Sequence, residues 1–132
     1  MGEAKLVDRY QIYVGLNNKD VLTQLRSTEQ FCRIAKLVCR SYVGAYSMNV
    51  IQGGYIHENG DFTEENTIVL TLIDVAKEQV DEIAADLCAF FQQESVMVNK
   101  DVITSYMVQC PLPDAYTILN SRDPQQPAEE TP

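Results

Sequence analysis

One short polar segment carries the side chains best suited to acid–base or metal chemistry. His57 is the only histidine, and Glu58, Asp61, Glu64 and Glu65 follow it closely. Carboxylates beside an imidazole tune its pKa, and carboxylate oxygens bind hard cations. However, the D-x-D-x-D-G spacing of a calcium loop is absent, and polar side chains at a hairpin tip are normally hydrated. We therefore expect no metal site here, and an enzyme built around His57 is a minor alternative.

Other chemical motifs are also missing from the chain. Gly53-Gly54 lacks the lysine of a phosphate-binding loop, and no serine or cysteine lies in a recognisable nucleophile motif. The four cysteines show neither CxxC nor zinc-site spacing. We expect four free thiols, of which Cys110 is the most exposed, and we assign no catalytic residue, cofactor or metal.

The polar segment lies within a regular series of predicted elements. Alternating or continuous apolar patterns predict strands at residues 10–16, 46–55, 67–73 and 96–109. Apolar residues at helical spacing predict one helix that starts near Ser27 and ends near Gly44, and a second helix over residues 76–93. The pair Asn59-Gly60 predicts a tight hairpin, and Gly53-Gly54 predicts a bulge or a close backbone approach.

The element order predicts an α+β fold, the ferredoxin-like βαββαβ sandwich. Right-handed crossovers then place both helices on one face of an antiparallel sheet with strand order 4-1-3-2. The predicted core between helices and sheet comprises Phe31, Ile34, Val38, Ile83, Leu87 and Phe91. We divide the chain into an N-terminal lead (1–9), the ferredoxin-like domain (10–110) and an acidic, proline-rich C-terminal tail (111–132).

The second face of this sheet is predicted to be too apolar for bare solvent. Its expected members are Gln11, Tyr13, Val69, Thr71, Ile73 and Met97. Three covers are possible: a second copy of the chain in a homodimer, a partner protein, or an apolar patch of the tail formed by Tyr116, Ile118 and Leu119. If a small ligand binds, we expect it in a cleft between dimer-related sheets, lined by Tyr13 and Tyr55.

Two short motifs resemble a known family. Tyr10, Tyr13, Gly15 and Leu16 form a YxxYxGL pattern, and residues 91–96 form FxQESV. Both are similar to the two ends of a family of small uncharacterised bacterial βαββαβ domains, a likeness that spans residues 10–105. Members usually have an export signal and tryptophans, which this chain lacks. The resemblance implies the same fold, and it transfers no activity because the family has no known one.

Charge is the property that most restricts the partners. The net charge is −9, and residues 41–76 contain five acidic and no basic side chains. Phosphate backbones and anionic membranes require a basic footprint, so we expect neither as a direct ligand. The scattered charges near the start do not form an export signal, which indicates a cytoplasmic protein.

These observations favour a non-catalytic protein-interaction module that occludes or scaffolds a protein partner. The most specific form is a small acidic inhibitor of a host nucleic-acid-handling or defence enzyme, in which Glu58, Asp61, Glu64 and Glu65 stand in for phosphates. One alternative is a small-molecule sensor or sequestering protein. Another is a minor dimeric ferredoxin-like enzyme that uses His57 or a tyrosine such as Tyr13.

Overall fold

In this computed structural model the described residues are 2–56, 58–110 and 119–121. The main compact unit is Leu6–Ile103, and the described residues nearer the two ends belong to a second unit. The elements are β1 (Lys5–Gly15), α1 (Thr28–Tyr42), β2 (Ser47–Ile56), β3 (Phe62–Ile73), α2 (Lys77–Phe90) and β4 (Met97–Ser105). The four strands form one sheet in the order β2-β3-β1-β4. The fold is therefore the predicted ferredoxin-like α+β sandwich.

The core lies between the helices and one face of the sheet. Ile12, Val14, Ile68, Leu70 and Leu72 alternate along the central strands β1 and β3, and all five are fully buried. They pack with the apolar stripes of both helices. Five of the six predicted core residues are buried, and Ile34 is half-buried at the rim. Residues 67–73 of β3 have apolar side chains on both faces of the strand. This segment lies in the interior of the sheet because β1 and β2 flank it.

Local signals fix the first helix. Ser27 is the N-cap, and its hydroxyl accepts a hydrogen bond from the Gln30 amide while the Gln30 side chain accepts one from the Ser27 amide. This reciprocal pair satisfies two helix-end donors. At the other end the Val43 amide donates to the Cys39 carbonyl in an extended conformation. The helix thus ends without a left-handed glycine.

Two strands are longer than predicted. β1 begins at Lys5. Its additional residues include Arg9, whose guanidinium donates two hydrogen bonds to the Asp101 carboxylate of β4. β3 begins at Phe62, and the polar residues that follow it, Thr63 to Thr67, are exposed or half-buried. Alternation alone misses both extensions, because the apolar pattern weakens wherever a strand leaves the core. The last strand is shorter than predicted, since β4 runs without a break from Met97 only to Ser105.

Gly53 and Gly54 lie in continuous register on β2, opposite Glu65 and Glu64 of β3. No bulge interrupts the ladder. A side chain, and not a second backbone segment, lies close to Gly54, because a Cβ there would overlap the ring of Phe62. Glycine is therefore required at that position by a side chain across the hairpin.

The residues predicted for the open face of the sheet differ in their exposure. Gln11, Tyr13 and Thr71 are half-buried, and Ile73 and Met97 are exposed. Val69, in contrast, is buried, since it lies on the second strand from the β2 edge with Tyr13 and Asn49 directly beside it.

The second unit is described only in part. Within it, the Gly2 amide donates to the Met107 carbonyl at 3.2 Å. Among the described residues, neither helix combines the length and the apolar composition that a bilayer span requires.

Candidate ligand-binding site

A polar depression of about 260 Å³ lies at one end of the sheet. Four segments converge there: the loop that follows β1, the end of β2, the start of β3, and the loop between α2 and β4. The antiparallel pairing of β3 with both β1 and β2 brings these ends together. The lining residues are Asn17, Asn18, Lys19, Leu22, Tyr55, Glu65, Gln93, Glu94 and Ser95.

The floor of the depression is built from two buried asparagines. Asn17 and Asn18 are 9% and 8% exposed, and they are the buried polar residues of the described chain. The Asn18 side-chain oxygen accepts hydrogen bonds from the Asp20 and Val21 amides. Its amide nitrogen donates to the Gln92 side chain at 3.0 Å. Asn18 therefore folds the loop after β1 and ties it to the loop after α2.

Two further hydrogen bonds join the same two loops. The Gln93 side chain donates to the Asn17 carbonyl, and the Lys19 amide donates to the Gln92 carbonyl. Several linked hydrogen bonds between half-buried groups hold a single arrangement better than isolated ones. The wall and floor are therefore preorganised rather than assembled by chance from mobile loops.

Glu65 is held in place by backbone contacts. Its Oε2 accepts a hydrogen bond from the Asn17 amide at 2.9 Å. The carboxylate lies directly over Gly15, where any Cβ would overlap it. A carboxylate has acceptor sites on two oxygens, so this bond fixes its position and still leaves capacity for a ligand. Gly15 is thus the residue that makes room for Glu65.

Two of the three described non-glycine residues with positive φ angles lie at or beside the depression, and the third, Asp74, follows β3. Leu22 and Gln92 have positive φ angles of 60° and 55°, a conformation rare for side chains of this size. Leu22 lines the depression, and Gln92 makes two of the bonds that tie its loops together. Strain of this kind costs on the order of 1–3 kcal/mol and clusters at functional sites. It supports a binding role for this end of the sheet.

The charges of the lining are mixed. Glu65 and Glu94 supply two carboxylates, Lys19 supplies one ammonium group, and Tyr55 supplies an aromatic ring. Such a lining suits a polar ligand that carries both positive and negative groups. No group of three metal-binding side chains occurs among the described residues.

The structure separates the four carboxylates predicted to form one acidic surface. Glu58 and Asp61 lie exposed at the hairpin tip, and Glu64 is exposed on β3. Glu65 is half-buried and points to the opposite face, because successive strand residues alternate. It belongs to the depression and not to the acidic surface. His57 lies outside the described residues.

The two tyrosines predicted for a ligand cleft are also separated. Tyr55 lines the depression, whereas Tyr13 is half-buried further along β1 and does not line it. Of the predicted apolar tail patch, Leu119 is 60% exposed, and Tyr116 and Ile118 lie outside the described residues.

Most of the lining residues carry no distinctive sequence signal. Asn17, Asn18 and Lys19 are typical turn residues, so the sequence pattern indicates only that a strand ends before them. Gln93 and Glu94 appeared only within the FxQESV motif. The available signal was that motif's polar residues, directly after an amphipathic helix and without a helix-stopping glycine.

Comparisons with known proteins show a likeness in fold. No family model and no curated protein matches the chain, so the resemblance to a bacterial domain family stays a prediction. A phage SAM lyase in complex with S-methyl-5'-thioadenosine is 24% identical, with a TM-score of 0.56, and the match covers 76% of this chain and 90% of that one. The apo state of a phage SAM lyase matches at 24% identity and a TM-score of 0.56, over 78% and 91% of the two chains. CutA from Synechococcus elongatus matches at 17% identity and a TM-score of 0.41, over 78% and 82%.

Proposed function

We propose that this protein binds S-adenosylmethionine (SAM) in the depression at the end of the sheet and cleaves it to S-methyl-5'-thioadenosine. The observation that carries the proposal is the charge pattern of the lining. The likeness to a phage SAM lyase supports the choice of ligand, because that protein's complex holds S-methyl-5'-thioadenosine.

The charges of SAM match those of the lining one for one. SAM carries a sulfonium cation, an ammonium cation and a carboxylate. The lining offers Glu65 and Glu94 for the two cations and Lys19 for the carboxylate. The ammonium and carboxylate groups of SAM can form charged hydrogen bonds with such partners, whereas the sulfonium, which has no N–H or O–H, is attracted by charge alone. Tyr55, which is 42% exposed, supplies an aromatic face on which adenine can stack.

The product defines the bond that breaks. S-methyl-5'-thioadenosine is SAM without its four-carbon amino-acid chain, so the bond between the sulfur and the γ-carbon is cleaved and both electrons stay on sulfur. A lyase adds no water. The γ-carbon then forms a new bond in one of two ways. Attack by the fragment's own carboxylate gives a lactone, and loss of a β-proton gives an alkene.

Geometry is expected to matter more than charge in the chemical step. The sulfonium charge disappears as the bond breaks, so a carboxylate beside it stabilises bound SAM at least as well as the transition state. The site must instead hold the chain in a reactive conformation. In the alkene route, Glu65 or Glu94 is also the base that takes the β-proton.

The test is incubation of the purified protein with SAM, followed by liquid chromatography and mass spectrometry. We expect S-methyl-5'-thioadenosine to accumulate with wild type. At SAM concentrations well below KM, Glu65→Gln should slow the reaction by about tenfold through weaker SAM binding, and by about 10²–10⁴ if Glu65 is the base. Glu58→Gln is the matched control, since that carboxylate is exposed at the hairpin tip. Equal rates for both variants would contradict the assignment.

Self-association is a further part of the proposal. The depression is slightly smaller than the usual range of about 300–1,000 Å³ for small-molecule sites, and its volume is about 260 Å³. Exposed apolar residues, among them Ile51 and Ile73, lie on the open sheet face. We propose that a second copy covers this face in a homodimer. Sedimentation of wild type and of Ile73→Lys tests this, since a monomeric wild type would contradict it.

The acidic inhibitor is the second candidate function. Glu58, Asp61 and Glu64 are exposed, and no lysine or arginine occurs between residues 41 and 76. Such carboxylates can replace phosphates in a basic groove. Purified wild type should then inhibit a DNA-restriction nuclease, with a strong decrease as salt rises. Reversing these three residues to lysine should abolish inhibition without affecting SAM cleavage. Inhibition that survives the reversal would exclude phosphate mimicry.

A further inference from the structure

We infer that Lys19 recognises the carboxylate of the amino-acid chain of the ligand, and that it makes the site select molecules that carry this group over the nucleoside product that lacks it. This inference rests on the proposed function, because it names the part of SAM that one residue contacts. The ligand class is an adenosyl compound with a free α-amino acid.

Hydrogen bonds hold the Lys19 backbone in place at the rim of the depression. Asn18, the neighbouring residue, is buried and caps the turn that follows by accepting from the Asp20 and Val21 amides. The Lys19 amide itself donates to the Gln92 carbonyl at 3.3 Å. The stem of the side chain therefore starts from a fixed point at the rim. A fixed starting point lowers the entropy cost of placing a long, flexible side chain on a ligand.

Lys19 differs in charge from the other ionisable residues of the lining. It supplies the one cationic side chain in the lining, next to the carboxylates Glu65 and Glu94. The ion pairs found among the described residues lie on β1, β4 and α2, and none of them involves Lys19. Its ammonium group is thus available to a ligand anion.

Substrate and product differ in the carboxylate that Lys19 is inferred to bind. Cleavage removes the carboxylate together with the four-carbon chain, so S-methyl-5'-thioadenosine keeps the adenine contacts and loses the contact with Lys19. Because only the substrate makes this contact, the site binds the product more weakly than the substrate. The product therefore leaves more easily, and it competes less with incoming SAM.

The test uses two ligands that the protein cannot cleave. Sinefungin is an SAM analogue in which an amine-bearing carbon replaces the sulfonium, and it keeps the carboxylate; S-methyl-5'-thioadenosine lacks one. Isothermal titration should show that Lys19→Met weakens sinefungin binding by about tenfold, the usual effect of losing one charged hydrogen bond. Affinity for S-methyl-5'-thioadenosine should stay unchanged, which also shows that the variant is folded. Lys19→Arg should retain most of the sinefungin affinity.

Lys36→Met is the matched control, because Lys36 is exposed on α1 and lines a different hollow. It should change neither affinity. If Lys19→Met weakens both ligands equally, or weakens neither, the inference is overturned while the proposed function stands. If wild type binds neither ligand, both are overturned.

Discussion

Gly15→Ala should damage the site while leaving the fold nearly intact. Gly15 lies on β1 without a positive φ, so alanine fits its backbone. The change should stabilise by about 0.4–1 kcal/mol through the unfolded chain. The new methyl group overlaps the Glu65 carboxylate, which must leave the Asn17 amide. Losing a hydrogen bond to a charged group costs about 1.5–3 kcal/mol, and half-exposure of Glu65 favours the lower value. The net destabilisation should be about 1 kcal/mol.

Ligand binding should respond more strongly than stability. A displaced Glu65 no longer faces the ligand cation, so sinefungin affinity should fall by about tenfold or more. Urea denaturation and isothermal titration measure the two effects separately. Gly53→Ala is the control, because Gly53 lies directly opposite Glu65 on β2 and a Cβ there meets nothing within 4 Å. Wild-type affinity in Gly15→Ala, or an equal loss in Gly53→Ala, would refute the role given to Glu65.

Three further predictions concern stability and reactivity. Leu87→Ala should cost about 2–5 kcal/mol in urea denaturation because Leu87 is fully buried, whereas exposed Leu37→Ala should change stability by less than about 0.5 kcal/mol. The arginine on β1 lowers the pKa of Asp101, so Asp101→Asn should cost some stability at pH 7, and the difference should vanish as the pH falls below the lowered pKa; a difference that persists in acid would contradict this. Burial raises the pKa of Cys39 to about 11, so a thiol reagent should label exposed Cys110 long before Cys39 in the native protein, and equal rates would contradict the packing of α1.

The fold could be predicted because its signals are local and repeated. The period-2 pattern of β1 and the apolar stripe of α1 each extend over several residues, and each agrees with burial in the structure. Element order then leaves few topologies. Strand ends were harder to predict, because the alternating apolar pattern does not extend to charged residues such as Arg9, whose partner Asp101 is distant in sequence.

The candidate site could not be predicted in the same way. Its residues come from four separate segments, and none of those segments contains a motif that identifies it alone. Asn17 and Asn18 are polar residues in a turn, and their burial depends on Gln92 and Gln93, which are more than 70 positions away. Tyr55 lines the depression, whereas Tyr13, which was expected to lie beside it in a cleft, does not. Glu65 was grouped with neighbouring carboxylates, since sequence proximity does not show which face of β3 each one occupies.

The most direct test of the central claim is to incubate wild type with SAM in ¹⁸O-labelled water and to analyse both products by mass spectrometry. We predict that S-methyl-5'-thioadenosine forms together with a four-carbon fragment that contains no ¹⁸O immediately after cleavage. The fragment from SAM deuterated at the β-carbon then separates the lactone route, which keeps both deuterons, from the alkene route, which loses one. SAM that remains intact at stoichiometric protein, or a fragment that carries ¹⁸O from the first time point, would contradict the proposed lyase.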